Sequence, residues 1–292
     1  MLFLATDLLQ KNLTEILISK SWRTAYQLMT KNITIKLNSI LNNKTLGSSE
    51  LAKLLNEHFL LIKNKPVQIK ESIRLAQKKL RHFEVINSYL TELIKIVSKG
   101  NKAELLNFLK DYSVNENMKI ERIFDKIYPS MKNITSVITF SRSKTVIDVL
   151  KLWHKKNRKL KVFICESRPK YEGRLMALNL ARAGIKVELI TDAMMGVSVH
   201  KANAAIIGAD LVLKNGNIIN KVGSKALALL CKEYKKPFYA VTTRSKFSNR
   251  KSYKVKNENP KEVWNKSVKN FKVSNIYFEE VEKKYITKIF TD

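Results

Sequence analysis

The chain is poor in the residues that build small stapled folds and metal centres: 2 cysteines, 4 histidines, 8 glycines and 5 prolines in 292 residues. Two cysteines, Cys165 and Cys231, cannot make a disulfide framework or a four-ligand cysteine zinc site. No G-x-G-x-x-G, no G-x-x-x-x-G-K-[ST] and no H-E-x-x-H occurs, which removes the usual dinucleotide, P-loop and zincin signatures. No metal and no cofactor is therefore expected. No apolar run approaches the ~18 residues of a membrane span. The start, MLFLATDLLQ, is interrupted by Asp7 and no small-residue cleavage site follows, so no signal peptide is read. The expectation is a cytoplasmic protein without a membrane partner. What is present is apolar substance enough for a sizeable core, at 45% of residues, which excludes wholesale disorder.

Acidic residues are also scarce, 25 against 55 basic ones, for a net charge of +30. Such a surface favours anionic partners, through an attraction that salt weakens. With 44 Lys and only 11 Arg, the charge supports non-specific contact better than base reading. The abundance of Asn, Ile and Lys also suits a genome-wide bias in composition. One segment, Arg244 to Lys272, holds ten basic and two acidic residues with weak periodicity. It reads as a long surface excursion, either a solvated loop or a dock for RNA, a ribosome or an acidic partner.

The two halves differ in pattern. Residues 1–130 carry apolar residues at helical spacing and predict an all-helical domain. Helices are expected over Leu8 to Lys31 and Ser48 to Ile62, with Ser48 or Ser49 as cap of the latter. The set Ile73, Leu75, Ala76, Leu80, Phe83, Ile86, Leu90, Leu93, Ile94 and Val97 steps by three and four as one helix. Two more follow, Lys102 to Asp111 and about Asn115 to Tyr128. Residues 131–292 alternate instead. Apolar strands at 137–141, 161–165, 186–191, 204–210 and 237–242 are separated by helices at short connections. That pattern predicts βαβ units and a doubly wound, Rossmann-like parallel sheet, giving an α/β chain with a helical N-terminal domain. The final stretch, IYFEEVEKKYITKIF, is read as one closing element.

In an open parallel sheet, ligands bind beyond the carboxyl ends of the strands. Ser141, Arg142 and Ser143 follow the first strand and open a helix, a setting for an anion, with Ser143 also a natural cap. Glu166, Ser167, Arg168 and Pro169 follow the second, where Arg168 has the shape to grip a phosphate or carboxylate. Asp210 follows AAII at a boundary that can desolvate a carboxyl for acid–base use. Asn220 and Lys221 come next. Arg142, Arg168, Asp210, Asn220 and Lys221 are expected to share one edge and to suit a phosphorylated small polyol. His154 ends a basic helix and reads as solvated. Cys165 and Cys231 read as core, because a reactive thiol needs an exposed electropositive setting.

The order of E-S-R-P-x-x-x-G (166–173), I-T-D-A (190–193), G-A-D (208–210) and N-K-x-G (220–223) resembles the initiation factor 2B alpha/beta/delta superfamily, closely over about 131–243. That superfamily also holds methylthioribose-1-phosphate isomerase and ribose-1,5-bisphosphate isomerase. The resemblance implies a dimer through the C-terminal domain, as homodimer or hetero-oligomer with related subunits, and contact with a translation initiation factor 2-type protein. The isomerases use a Cys at the end of the first strand and the Asp of G-A-D. Here the Asp is Asp210, whereas the Cys position holds Ser141. A thiol works as acid or base near neutral pH; an isolated serine hydroxyl does not. The resemblance therefore implies a non-catalytic, regulatory-type member with a sugar phosphate or nucleotide in the pocket. Ser141 and, in an isomerase, Asp210 are its candidate catalytic positions. Arg142, Ser143, Arg168, Asn220 and Lys221 are its candidate ligand groups. The alternatives are an aldose–ketose isomerase of a pentose 1-phosphate, and an RNA- or ribosome-associated basic protein.

Overall fold

The computed structural model describes residues 33–43, 46–81 and 83–292; the helix expected over Leu8 to Lys31 lies outside them. Two compact units result. The first takes the described residues up to 43 and Leu51–Lys110, and the second takes 46–50 and Asp111–Asp292. The expected division at 130 falls at the end of a long helix whose residues from Asp111 onward are counted with the second unit.

The first unit is helical: α1 over residues 33–41, α2 (Ser48–Leu61), α3 (Pro66–Leu80), α4 (Glu84–Ser98) and the start of α5 (Lys102–Met131). Leu51, Leu55 and Phe59 fall every four residues along α2 and are fully buried. Asn56 is buried among them but satisfied, since its Nδ2 donates to the Leu109 carbonyl at 2.8 Å and the Tyr89 hydroxyl donates to its Oδ1 at 2.9 Å. His58 stands 3.1 Å from the Ser72 hydroxyl, and burial, then Lys36, lowers its pKa to about 4, so it is neutral at pH 7. Two helix boundaries differ from expectation. The single helix read through Val97 is two, because Phe83 turns to extended backbone and the Asn87 side chain takes the freed Arg81 carbonyl at 2.8 Å. Leu80, Phe83 and Ile86 keep three-residue spacing across that turn, so the apolar pattern does not register it. Conversely, the pair expected at 102–111 and 115–128 is one helix, α5, because the weak helix formers at 113–117 cost less than tertiary burial returns.

In the second unit, β1 (Ser136–Thr139), β2 (Lys161–Cys165), β3 (Lys186–Ile190), β4 (Ala204–Ile207), β7 (Phe238–Val241) and β9 (Lys288–Phe290) form one parallel sheet in the order β3-β2-β1-β4-β7-β9. A second, antiparallel sheet joins β5 (Leu211–Val212), β6 (Ile218–Lys221) and β8 (Phe278–Val281). The closing stretch is thus two strands in two sheets. One face of the large sheet is covered by α5, α6 (Lys144–Lys156) and α7 (Glu172–Arg182), through Phe124, Leu150, Trp153 and Leu180. The other face is covered by the short helix α8 (Met195–Ser198), by α9 (Ser224–Glu233) and by the small sheet, through Met195, Leu227, Cys231 and Val281. Helices on both faces make this the doubly wound α/β fold expected. Among the described residues no helix is long and apolar enough to cross a membrane. His154 is corrected by this packing: it is 6% exposed, and burial, then Arg158, lowers its pKa.

The loop between β2 and α7 folds back so closely that a Cβ on Gly173 would lie 1.8 Å from the Cys165 carbonyl oxygen. Backbone cannot yield as a side chain can. Gly173→Ala is expected to cost ~3 kcal/mol or more and to lower Tm by roughly 6–12 °C, read by thermal denaturation.

Candidate functional site

The strand order reverses between β1 and β4, which lie side by side. Chain leaving β1 enters α6 on one face, and chain leaving β4 enters the small sheet on the other. A cleft opens at that point, lined by Phe140–Thr145 after β1, Gly208–Asp210 after β4, Asn220, Thr242, Lys246 and Gly47–Glu50.

Two helix N termini border it. α6 is capped by Ser143, whose Oγ accepts from the Val146 N–H at 3.4 Å. Gly208 has no side chain there for a clear reason: a Cβ would meet the Ser143 Oγ at 2.5 Å. The first turn of α2 supplies Ser48, Ser49 and Glu50. Ser48 is not a cap. Its Oγ is buried and makes no hydrogen bond. Free N–H groups and the positive ends of two helix dipoles favour an anion.

Ser141 sits in the left-handed region at φ 66, uncommon for a residue with a Cβ. It is held there by a chain of bonds: its N–H donates to the Ser167 Oγ at 2.8 Å, and that hydroxyl donates to the Cys165 carbonyl at 3.1 Å. The Ser167 and Arg168 N–H groups both donate to the Asp192 carboxylate, each at 2.7 Å. The E-S-R-P loop, the I-T-D-A turn and the end of β1 are therefore one hydrogen-bonded assembly whose product is the placement of Ser141.

Charges in the cleft come in pairs. Arg142 makes a two-bonded contact with Glu50, at 2.7 and 2.6 Å. Asp210 faces Lys246 at 3.5 Å, and its side chain is 42% exposed, so the expected desolvation of this carboxyl does not occur. Lys144 pairs with Asp148 one turn along α6.

The expected gathering of five residues is partial. Arg142, Asp210 and Asn220 line the cleft with Ser141 and Ser143; Arg168 and Lys221 do not. Asn220 and Lys221 are not in a loop after a strand of the large sheet but end β6 of the small one, where successive side chains point to opposite faces. Asn220 donates to the Ser224 Oγ at 2.8 Å, whereas Lys221 is buried against Glu172 at 2.7 Å and under the Tyr277 ring. Arg168 turns away to the Tyr171 hydroxyl and the Val263 carbonyl, the latter at 3.2 Å. The sequence reading missed Gly47–Glu50, Thr242 and Lys246. The only local signal for the first was the pair of serines read as a cap, and Lys246 was hidden in a basic segment.

The sequence matches the initiation factor 2 subunit family over residues 21–292. It is 28% identical over 259 residues to the translation initiation factor eIF-2B subunit 2-like protein of Pyrococcus furiosus, covering 88% of this chain and 93% of that one. It is also 28% identical over 253 residues to ribose 1,5-bisphosphate isomerase of Methanocaldococcus jannaschii, covering 82% of each. The fold is shared with the crystal structure of 5-methylthioribose 1-phosphate isomerase from Pyrococcus horikoshii, at TM-score 0.76 and 19% identity over 89% of this chain and 82% of that one.

Neither thiol lines the cleft. Cys165 and Cys231 are buried, and burial pushes both up to about 12; Asp192 adds to the rise at Cys165, and Lys236 opposes it at Cys231. A thiol reagent at pH 8 is expected to titrate no cysteine in the native protein and two in denaturant; rapid native reaction at either position would contradict this burial.

Proposed function

The chain belongs to the initiation factor 2 subunit family, and from that premise we propose that it is a non-catalytic, regulatory-type member of the 2B alpha/beta/delta group. It acts in the cytoplasm, assembles with a second copy or a related subunit, and binds a translation initiation factor. Its cleft takes a phosphorylated small molecule, a sugar phosphate or a nucleotide.

The observation that carries this reading is Ser141. It follows β1 and lines the cleft together with Asp210, the resemblance puts it in the position of the isomerases' cysteine, and no side chain among the described residues hydrogen-bonds its hydroxyl to activate it. A serine with no partner base stays a neutral hydroxyl, good for holding a ligand hydroxyl and poor for moving a carbon-bound proton. The two helix N termini and Arg142 suit the phosphate, and Asp210 and Asn220 suit the hydroxyls of a polyol. The competing reading is aldose–ketose isomerisation of a pentose 1-phosphate. It is favoured by the retained Asp210, which would then serve as the acid–base group.

Phosphorus NMR of the protein with ribose 1,5-bisphosphate, and separately with methylthioribose 1-phosphate, decides between them. Broadened but unconverted substrate resonances are expected. Ketose phosphate appearing over hours, and absent with Asp210→Asn, would make this protein an isomerase.

Glu50 competes with any anion for Arg142. Glu50→Gln is expected to tighten inorganic phosphate about tenfold, the worth of one charge-assisted bond. It is also expected to lower Tm, because Arg142, with its side chain only 11% exposed, loses the carboxylate charge that offsets its own. Calorimetric titration and thermal denaturation read the two effects.

A further inference from the structure

The excursion after β7 is not a free tail. The Ser248 N–H donates to the Val212 carbonyl at 2.9 Å and the Lys214 N–H to the Arg250 carbonyl at 3.0 Å. Further on, a short turn at Pro260–Glu262 is fixed from three directions. Lys170 reaches Glu262 at 2.6 Å, the Tyr277 hydroxyl donates to the same carboxylate, and the Asn275 Nδ2 donates to the Asn259 carbonyl at 2.8 Å. Burial, then Glu262, pushes the Tyr277 hydroxyl up to about 12, so it remains a donor. Arg168, absent from the cleft, has its place here, donating to the Val263 carbonyl at 3.2 Å.

These anchors have a consequence for residues 261–272. The one acid of that stretch, Glu262, is turned inward and neutralised by Lys170. What remains outside is Lys261, Lys266, Lys269 and Lys272, all exposed, with no ion pair to any described carboxylate. Between them stand Trp264, 54% exposed, and Phe271, 53% exposed.

From this display of two half-exposed aromatic rings among four lysines without an ion pair, we propose that residues 261–272 are a docking surface for single-stranded RNA. Stacking needs an accessible ring face and accepts any base, and backbone phosphates need spaced cations; both are supplied together. A duplex hides its base faces, and this stretch has no helix long enough to enter a groove. An acidic protein would match the lysines, but the exposed apolar residues here, Trp264, Val268 and Phe271, are interleaved with lysines and do not form the desolvated pocket that anchors a protein partner. RNA is chosen over DNA because the matching family is described as one of initiation factor subunits, and RNA is the strand such a factor works among. The surface is independent of the cleft, and its failure leaves the reading of the cleft untouched.

Fluorescence anisotropy with a labelled 15-nucleotide oligouridylate, against the full chain at 50 to 300 mM salt, tests this. Binding is expected at low salt, with quenching of tryptophan emission that Trp264→Ala abolishes. Trp264→Ala with Phe271→Ala is expected to weaken RNA by tenfold or more. Lys266→Gln with Lys269→Gln is expected to flatten the log–log salt slope by roughly 1.4, at ~0.7 per phosphate contact on a single strand. Three results would each overturn the proposal: no binding at 50 mM salt, unchanged affinity in the double aromatic variant while its melting temperature is intact, or equal binding of polyglutamate or of duplex DNA of the same length.

Discussion

The arrangement of the carboxyl edge of the large sheet depends on one topological constraint: β1 and β4 are neighbours whose outgoing chains leave to opposite faces. A parallel sheet with helices on both sides must reverse its winding somewhere, and at the reversal no crossover fills the space above the strand ends. The packing elsewhere maintains that gap. Trp153 and Leu150 pin α6 to one face, and Leu227 and Cys231 pin α9 to the other. Gly208 lets the end of β4 approach the α6 cap, and Gly173 lets the β2–α7 loop fold under Cys165. The conformation of Ser141 is then fixed by the backbone bonds that reach it through Ser167 and Asp192. The motif residues are structural as much as chemical.

Electrostatics at the edge follows a different rule from the charge of the chain as a whole. With +30 in total, an unpartnered cation would be the ordinary finding. Yet in the cleft Arg142 has Glu50, Lys246 has Asp210 and Lys144 has Asp148. Pairing keeps partly buried cations from a heavy desolvation cost. It also means that an incoming phosphate exchanges partners with a carboxylate rather than meeting a bare charge, so binding there trades one charge-assisted contact for another.

The large sheet was legible because its strands are buried on both faces and therefore appear as uninterrupted apolar runs such as AAII and VFIC. The pairing of Ser143 with a helix start and the burial of both cysteines were legible for the same local reason. What was not legible depended on contacts distant in sequence. β6 joins β8 across some sixty residues, and that pairing, not the local pattern around N-K-x-G, sends Asn220 toward the cleft and Lys221 away from it. Arg168 is directed by a carbonyl 95 residues later. The break before Phe83 is invisible in the sequence because helical spacing continues through it, and the unity of α5 because packing rather than local propensity decides it.

The basic excursion bears on whether the chain's lysine richness is bias or design. A uniform compositional excess would leave cations unpaired everywhere in proportion to exposure. Instead the same chain neutralises its cations at the cleft and, a few residues later, spends one of the two acids of the excursion on its anchor. Lys170 and Tyr277 draw Glu262 inward, and with Asn275 these contacts both fix the turn and neutralise the acid nearest Trp264 in sequence. Fixing a loop costs conformational entropy that a merely solubilising segment has no need to lose. An ordered, acid-depleted strip with two open rings is the outcome that recognition of an anionic, base-bearing chain requires, and it arises here from the anchoring network rather than from the count of lysines.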